Sequence, residues 1–248
     1  MKQQILILLS LFCFANVYSQ NFIKPYIGLN FTKRILTSQY ELRKDSLEKA
    51  DKLEYLPCAG VLMLFEKKPG REFYLGIGYN ETGFERQRLK YKFQDTVHPE
   101  LGQIHDLSDA AQKNAYFTYH FKYLEFPFGY NFQITPRQNM HLYTGWFNVG
   151  LVPQFLIKQN MTVFLQGFSM KGKNKFNLSN TGYDAAKMNV TLQTGGRFDT
   201  NIRSKFWVTS DVHLKINLLN TAQNSNEKLR IWYISANLGL RYEIGNSN

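Results

Sequence analysis

Residues 210–213 read Ser-Asp-Val-His, a serine, an acid and a histidine close enough to suggest a nucleophile activated by a general base. That chemistry requires the hydroxyl and the imidazole to reach one another. The surrounding segment alternates: Phe206, Val208, Val212, Leu214, Ile216 and Leu218 oppose Trp207, Thr209, Asp211, His213, Lys215 and Asn217. Successive side chains of a strand point to opposite faces, so Ser210 and His213 are directed apart. The other histidines, His98, His105, His120 and His141, have no serine at a telling spacing. His98 and His105 with Asp106 and Asp109 have metal-ligand chemistry, but they fall in a stretch with the composition of a solvated loop. The expectation is a protein without catalytic residues, metal or cofactor, and not an enzyme.

Two sets of charges remain. Glu125, Arg197, Asp199, Asp211, His213, Lys215, Arg241 and Glu243 fall on the polar parity of their segments, and Arg86, Arg88, Lys90 and Lys92 form a basic run interleaved with Leu89, Tyr91 and Phe93. What either set can do depends on the elements that carry it. The clearest element is residues 231–244, IWYISANLGLRYEI. Trp232, Ile234, Ala236, Leu238, Leu240, Tyr242 and Ile244 form an apolar face, and Tyr233, Ser235, Asn237, Gly239, Arg241 and Glu243 a mostly polar one. A period of two over that length exceeds an ordinary globular strand of about five or six residues. It satisfies the nine to eleven or so that a tilted strand needs to cross a bilayer.

Seven further strands are expected at residues 22–31, 55–65, 72–93, 115–132, 141–158, 187–199 and 206–218. The facing of the second is ambiguous because both parities are apolar. In the fourth, the apolar parity moves from Phe117, Tyr119, Phe121 and Tyr123 to Leu124, Phe126, Phe128, Tyr130 and Phe132, which predicts a β-bulge beside Pro127. The connections alternate long and short, as in membrane barrels with short turns at one end and long loops at the other. The fold class is therefore all-β: an eight-stranded antiparallel up-and-down transmembrane β-barrel. A soluble barrel with its apolar parity turned inward around a small apolar ligand is the alternative, and a lipid-modifying barrel enzyme a further one.

An eight-stranded barrel has an interior just wide enough for its own side chains. The polar parity then lines a lumen, and Glu125, Arg197, Asp211, Lys215, Arg241 and Glu243 are expected to form a network there. Glu125 and Asp211 would pair with Arg197, Arg241 or Lys215, because a buried charge without a partner is costly. A proton or ion path through the lumen is the alternative. The run Arg86, Arg88, Lys90 and Lys92 is a candidate surface for an anionic ligand such as lipopolysaccharide phosphates, against the simpler reading of a solvated strand end.

The segment Tyr123-Leu124-Glu125-Phe126-Pro127-Phe128 resembles the signature of the PorT-like outer-membrane β-barrel family. The fifth strand, with Tyr143-Thr144-Gly145 and Asn148-Val149-Gly150, and the last, with Leu238-Gly239-Leu240-Arg241-Tyr242, are similar to those of its members. The resemblance implies an eight-stranded barrel in the outer membrane of a Gram-negative cell, with members linked to protein secretion and gliding motility. It supplies no catalytic residues. The chain departs from the common pattern of outer-membrane strands in following Ile244 with Gly-Asn-Ser-Asn instead of ending on an aromatic.

Residues 1–19 have the pattern of an export signal: Lys2, an apolar run over 5–17 too short for a membrane helix, and Ser19 before Gln20. Residues 20–248 would form a single barrel domain. Cys58 would then have no second cysteine to pair with, leaving stability to the fold itself. The net charge of +11 favours anionic lipid headgroups and lipopolysaccharide as partners over nucleic acid in an exported, strand-rich chain. Other envelope or secretion proteins are further expected partners, with long outward loops, periplasmic termini and a monomeric state.

Overall fold

The computed structural model describes residues 20–37, 51–91, 97–98, 102–103, 113–135, 143–166, 175–178, 185–221 and 228–244. Eight wall strands close into a ring. They are β1 (Gln20–Thr37), β2 (Glu54–Lys68), β3 (Arg71–Tyr91), β4 in two segments (Lys113–Glu125 and Phe128–Gln133), β5 (Tyr143–Gln166), β6 (Met188–Arg203), β7 (Phe206–Asn217) and β8 (Lys228–Ile244). Each pairs antiparallel with its neighbour in sequence. β8 returns to β1 over Asn21↔Ile244 to Thr37↔Lys228, so the sheet has no free edge around its circumference. Asp51–Lys52 adds to β3 and Lys175–Leu178 to β5, both towards the long-loop end.

The strands are longer than periodicity alone indicates. β1 runs past Phe31 to Thr37, and β5 continues through residues 159–166, where a loop was expected. In β5 the extension carries Met161, Val163 and Leu165 inward, so a buried face continues beyond the segment whose alternation is easiest to recognise. The expected signal segment 1–19 and most of the long loops lie outside the described residues.

β4 corrects an expectation. Odd residues point inward on both sides of Pro127, from Ala115 and Tyr123 to Asn131, and the register against β3 is the same before and after it. Pro127 still accepts a hydrogen bond from the Gly76 amide. What changes is the lumen: its upper end is apolar, so Phe117 to Tyr123 face in while Phe126 to Phe132 face out. The bulge is on the neighbouring strand, where Lys122 pairs with Lys158 and Tyr123 with Leu156, leaving Ile157 as the extra residue of β5.

Facing is uniform around the ring. The outer wall presents Ile27, Leu29, Val61, Ile77, Phe128, Val149, Leu192, Val212, Leu214, Leu238 and Leu240 to the surroundings, and its inner side holds the buried charges. This is the reverse of a barrel built to enclose an apolar ligand, and it is the facing of a transmembrane barrel. The facing of β2 is settled as well: Leu56, Cys58, Leu62 and Leu64 point in, while Tyr55, Val61, Met63 and Phe65 point out. At the short-turn end the outer wall carries an aromatic band in which Phe206 meets Tyr242 at 4.8 Å, Phe73 meets Tyr130 at 5.4 Å and Tyr143 meets Phe198 at 5.7 Å between ring centroids.

Candidate functional site: a tiered lumen and an outer collar

The lumen has three tiers, which β8 passes through in order. Leu229, Ile231 and Tyr233 belong to the apolar tier, Ser235 and Asn237 to the middle, and Arg241 and Glu243 to the charged floor. In the top tier Phe84, Tyr119, Phe121, Tyr123, Met161, Leu165, Leu229 and Ile231 form one cluster, with the Arg34 guanidinium 4.3 Å from the centroid of the Phe84 ring. This apolar plug closes the long-loop end of the polar interior.

The middle tier is a mesh of amides and hydroxyls. Asn80 and Gln154 both donate to the Tyr233 hydroxyl at 3.0 Å, and Asn30 donates to Asn80 at 2.6 Å. Gln193 donates to Asn148, and Asn148 to Asn131, which in turn donates to Glu72. Two tyrosines cross this tier over glycines. A Cβ at Gly150 would lie 2.1 Å from the Tyr74 hydroxyl, and Cβ atoms at Gly60 and Gly78 would lie 2.6 and 2.8 Å from that of Tyr26. Only the absence of side chains there lets the tyrosines span the lumen. Cys58 is buried in this tier, donating to Asn237 at 3.2 Å.

The ionic part ties together strands that are not paired with one another in the sheet. Lys215 of β7 pairs with Glu125 of β4 at 3.3 Å, and Gln154 and Tyr26 also donate to that carboxylate. Lys24 of β1 pairs with Asp211 of β7. On the floor Glu72 takes both Arg197 at 2.6 Å and Arg241, while Asp199 takes Arg197 at 3.0 Å and Arg241 at 2.7 Å. The Arg241 guanidinium also lies 3.7 Å from the centroid of Phe22, near Trp207 and Trp146, and that of Arg197 lies 4.8 Å from the centroid of Trp146. Charge, hydrogen bonding and aromatic stacking thus converge on two buried guanidinium groups, the geometry in which a planar fork is better suited than an ammonium.

The six residues read from sequence as lumenal, Glu125, Arg197, Asp211, Lys215, Arg241 and Glu243, are all inward and buried. The pairing differs in part: Glu125 takes Lys215 as expected, but Asp211 takes Lys24. Lys24 and Glu72 do not stand out in the sequence because their nearest neighbours on the same parity are apolar or small, Phe22 and Tyr26 flanking the one and Tyr74 and Gly76 following the other. The basic run is corrected at its first member. Arg86 lies on the inward parity of β3 and is 8% exposed, so it does not belong to an outer surface. The side chains of Arg88 and Lys90, and the whole of Lys92, lie outside the described residues, as do His105, Asp106, Asp109 and His141. Ser210 points outward and His213 is buried inside.

A polar collar that the sequence did not single out sits on the outer wall above the apolar belt. Along β3 the outward residues change from Phe73, Leu75, Ile77 and Tyr79 to Glu81 and Glu85. Glu81 receives the Tyr79 hydroxyl at 2.8 Å, and lies 3.0 Å from His120 Nδ1 and 3.7 Å from Lys122. Beyond it, Lys52, Glu54, Glu85, Tyr116, Thr118 and Phe164 help to line a groove of about 550 Å³. Lys52 pairs there with Glu85 at 3.6 Å and lies 5.0 Å from the Tyr116 ring. The outward parity of β3 and β4 contained this signal, since charge replaces aromatics at one height on both strands.

No protein-family model matches the chain, and no curated protein matches it. Among solved structures it is similar to the Neisserial surface protein A, with 8% identity, 90% of this chain and 97% of that chain covered and a TM-score of 0.42. It is also similar to the outer membrane protein OprG of Pseudomonas aeruginosa, with 11% identity, 92% and 97% covered and a TM-score of 0.42. A third is a major outer membrane protein of Thermus thermophilus, with 10% identity, 90% and 99% covered and a TM-score of 0.39.

Proposed function

We propose that this chain is an integral protein of a Gram-negative outer membrane, a non-enzymatic barrel that serves as a rigid scaffold for its long-loop end in envelope processes such as secretion, surface attachment or adhesion. The observation that carries this reading is the facing: a continuous apolar outer wall around a charged, hydrogen-bonded interior. In water that wall would be a very large exposed apolar surface, and in hydrocarbon it is matched to its solvent. The export-type segment over residues 1–19 supports the same location, as does the aromatic band at the short-turn end. Under this reading the short turns and termini face the periplasm and the collar meets the outer headgroups, with outer-membrane lipid and lipopolysaccharide as surroundings and envelope or secretion proteins as partners.

The finer resemblance to the PorT-like family belongs to this proposal. Its supporting segment has a clear task here, since Tyr123 packs in the apolar plug, Glu125 anchors Lys215, and Phe126 and Phe128 face outward. The test is electrophoretic mobility of detergent-extracted envelope protein, with and without boiling. The expected result is a shifted folded band in the outer-membrane fraction, lost in Leu240→Arg and Leu214→Arg, because a cation on the lipid face at mid-bilayer costs about 2–4 kcal/mol. A soluble protein without a shift, or normal assembly of both variants, would overturn the reading.

A further inference from the structure

At the short-turn end the β2–β3 hairpin closes through Pro69 and Gly70, the latter at φ 80°, and brings Lys68 and Arg71 directly opposite one another. Like charges facing across a strand pair destabilise it. Neither carboxylate of the hairpin relieves the pair: Glu66 and Glu72 are on the inward parity, Glu66 receiving the Gly70 amide and Glu72 holding the two buried arginines. The cations share their outward face with three rings, Phe65 stacked on Phe73 at 6.3 Å and Phe73 against Tyr130 at 5.4 Å. Phe65, Lys68, Arg71, Phe73 and Tyr130 together line an open cavity of about 400 Å³ with no carboxylate among them.

We infer that this cavity is a binding site for an anionic phospholipid, whose phosphate lies between Lys68 and Arg71 and whose proximal acyl chain lies along the Phe65–Phe73–Tyr130 rings. Doubled positive charge calls for an anion, and the aromatic floor continuing into the apolar wall calls for an attached hydrocarbon chain. One ligand class, a lipid with a net negative headgroup in the leaflet beside the short turns, meets both demands. The site rests on the membrane reading above. It adds a preferred lipid and its position to that reading.

The test uses the full chain, reconstituted in phosphatidylcholine vesicles containing some phosphatidylglycerol, then gently extracted for native mass spectrometry of retained lipid. The wild-type protein should retain phosphatidylglycerol enriched about fivefold or more over the vesicle ratio. K68Q/R71Q should retain it at the vesicle ratio while keeping its folded electrophoretic mobility, and K68R/R71K should behave as wild type. Equal enrichment in K68Q/R71Q, or none in a wild-type protein that has inserted and folded, would overturn the lipid site alone. Displacement of the lipid by inorganic phosphate would overturn it too, since the pocket would then recognise a free anion. Failure of the wild-type chain to insert would remove the membrane reading and this site with it.

Discussion

At the scale of single residues, the floor of the lumen is organised by Glu72. Its carboxylate holds Arg197 and Arg241 at once, and both guanidinium groups are nearly inaccessible to water. Such groups contribute less through their mutual attraction than through what happens when one is removed, because the partner is left charged and desolvated. Glu72→Ala is therefore expected to cost about 3–5 kcal/mol, read as a lower urea midpoint for the folded band. The Lys24–Asp211 pair offers a contrast. Lys24→Met alone should be strongly destabilising, while K24M/D211L should recover most of the loss, because no charge is then stranded. If the double variant were as unstable as the single one, the pair would matter for position and not for charge balance.

At the scale of the strand, the informative feature is the bulge in β5. Ile157 is the residue that register skips, and it permits the upper part of the strand to keep Met161, Val163 and Leu165 inside after Val152 and Gln154 have set the lower part. Deleting a residue elsewhere in a wall strand shifts everything beyond it to the wrong face. Deleting Ile157 removes only the surplus. Deletion of Ile157 should yield a normally shifted folded band, whereas deletion of Thr194 from β6, where alternation is unbroken, should abolish assembly. Equal behaviour of the two deletions would show that the bulge does not set facing.

At the scale of the whole molecule, the barrel is closed at two levels by different physics. Aromatic and aliphatic packing seals the long-loop end, and stacked arginines with their carboxylates seal the short-turn end. An eight-stranded ring leaves little room for water between such tiers. The purified protein in planar bilayers should therefore give no steady ionic current. A stable open current would mean that the plug or the floor moves aside, and would restore the reading of the lumenal charges as a conduction path.

Much of this was legible in order along the chain. The period of two identifies the strands, most clearly in residues 231–244 and 206–217, the count of such segments gives their number, the alternation of long and short connections gives their up-and-down order, and parity alone places Glu125, Arg197, Asp211, Lys215, Arg241 and Glu243 inside, because facing is a local property of a pleated chain. What lies across the lumen is not local. That Asp211 meets Lys24 and that Glu72 gathers Arg197 and Arg241 depend on the height and azimuth at which strands distant in sequence are brought by closure of the ring. The same holds for the parity shift in β4. The sequence records that apolar residues change sides there, but only the closed barrel decides whether the strand turns over or the lumen changes character, and the unbroken register against β3 shows that the lumen changes.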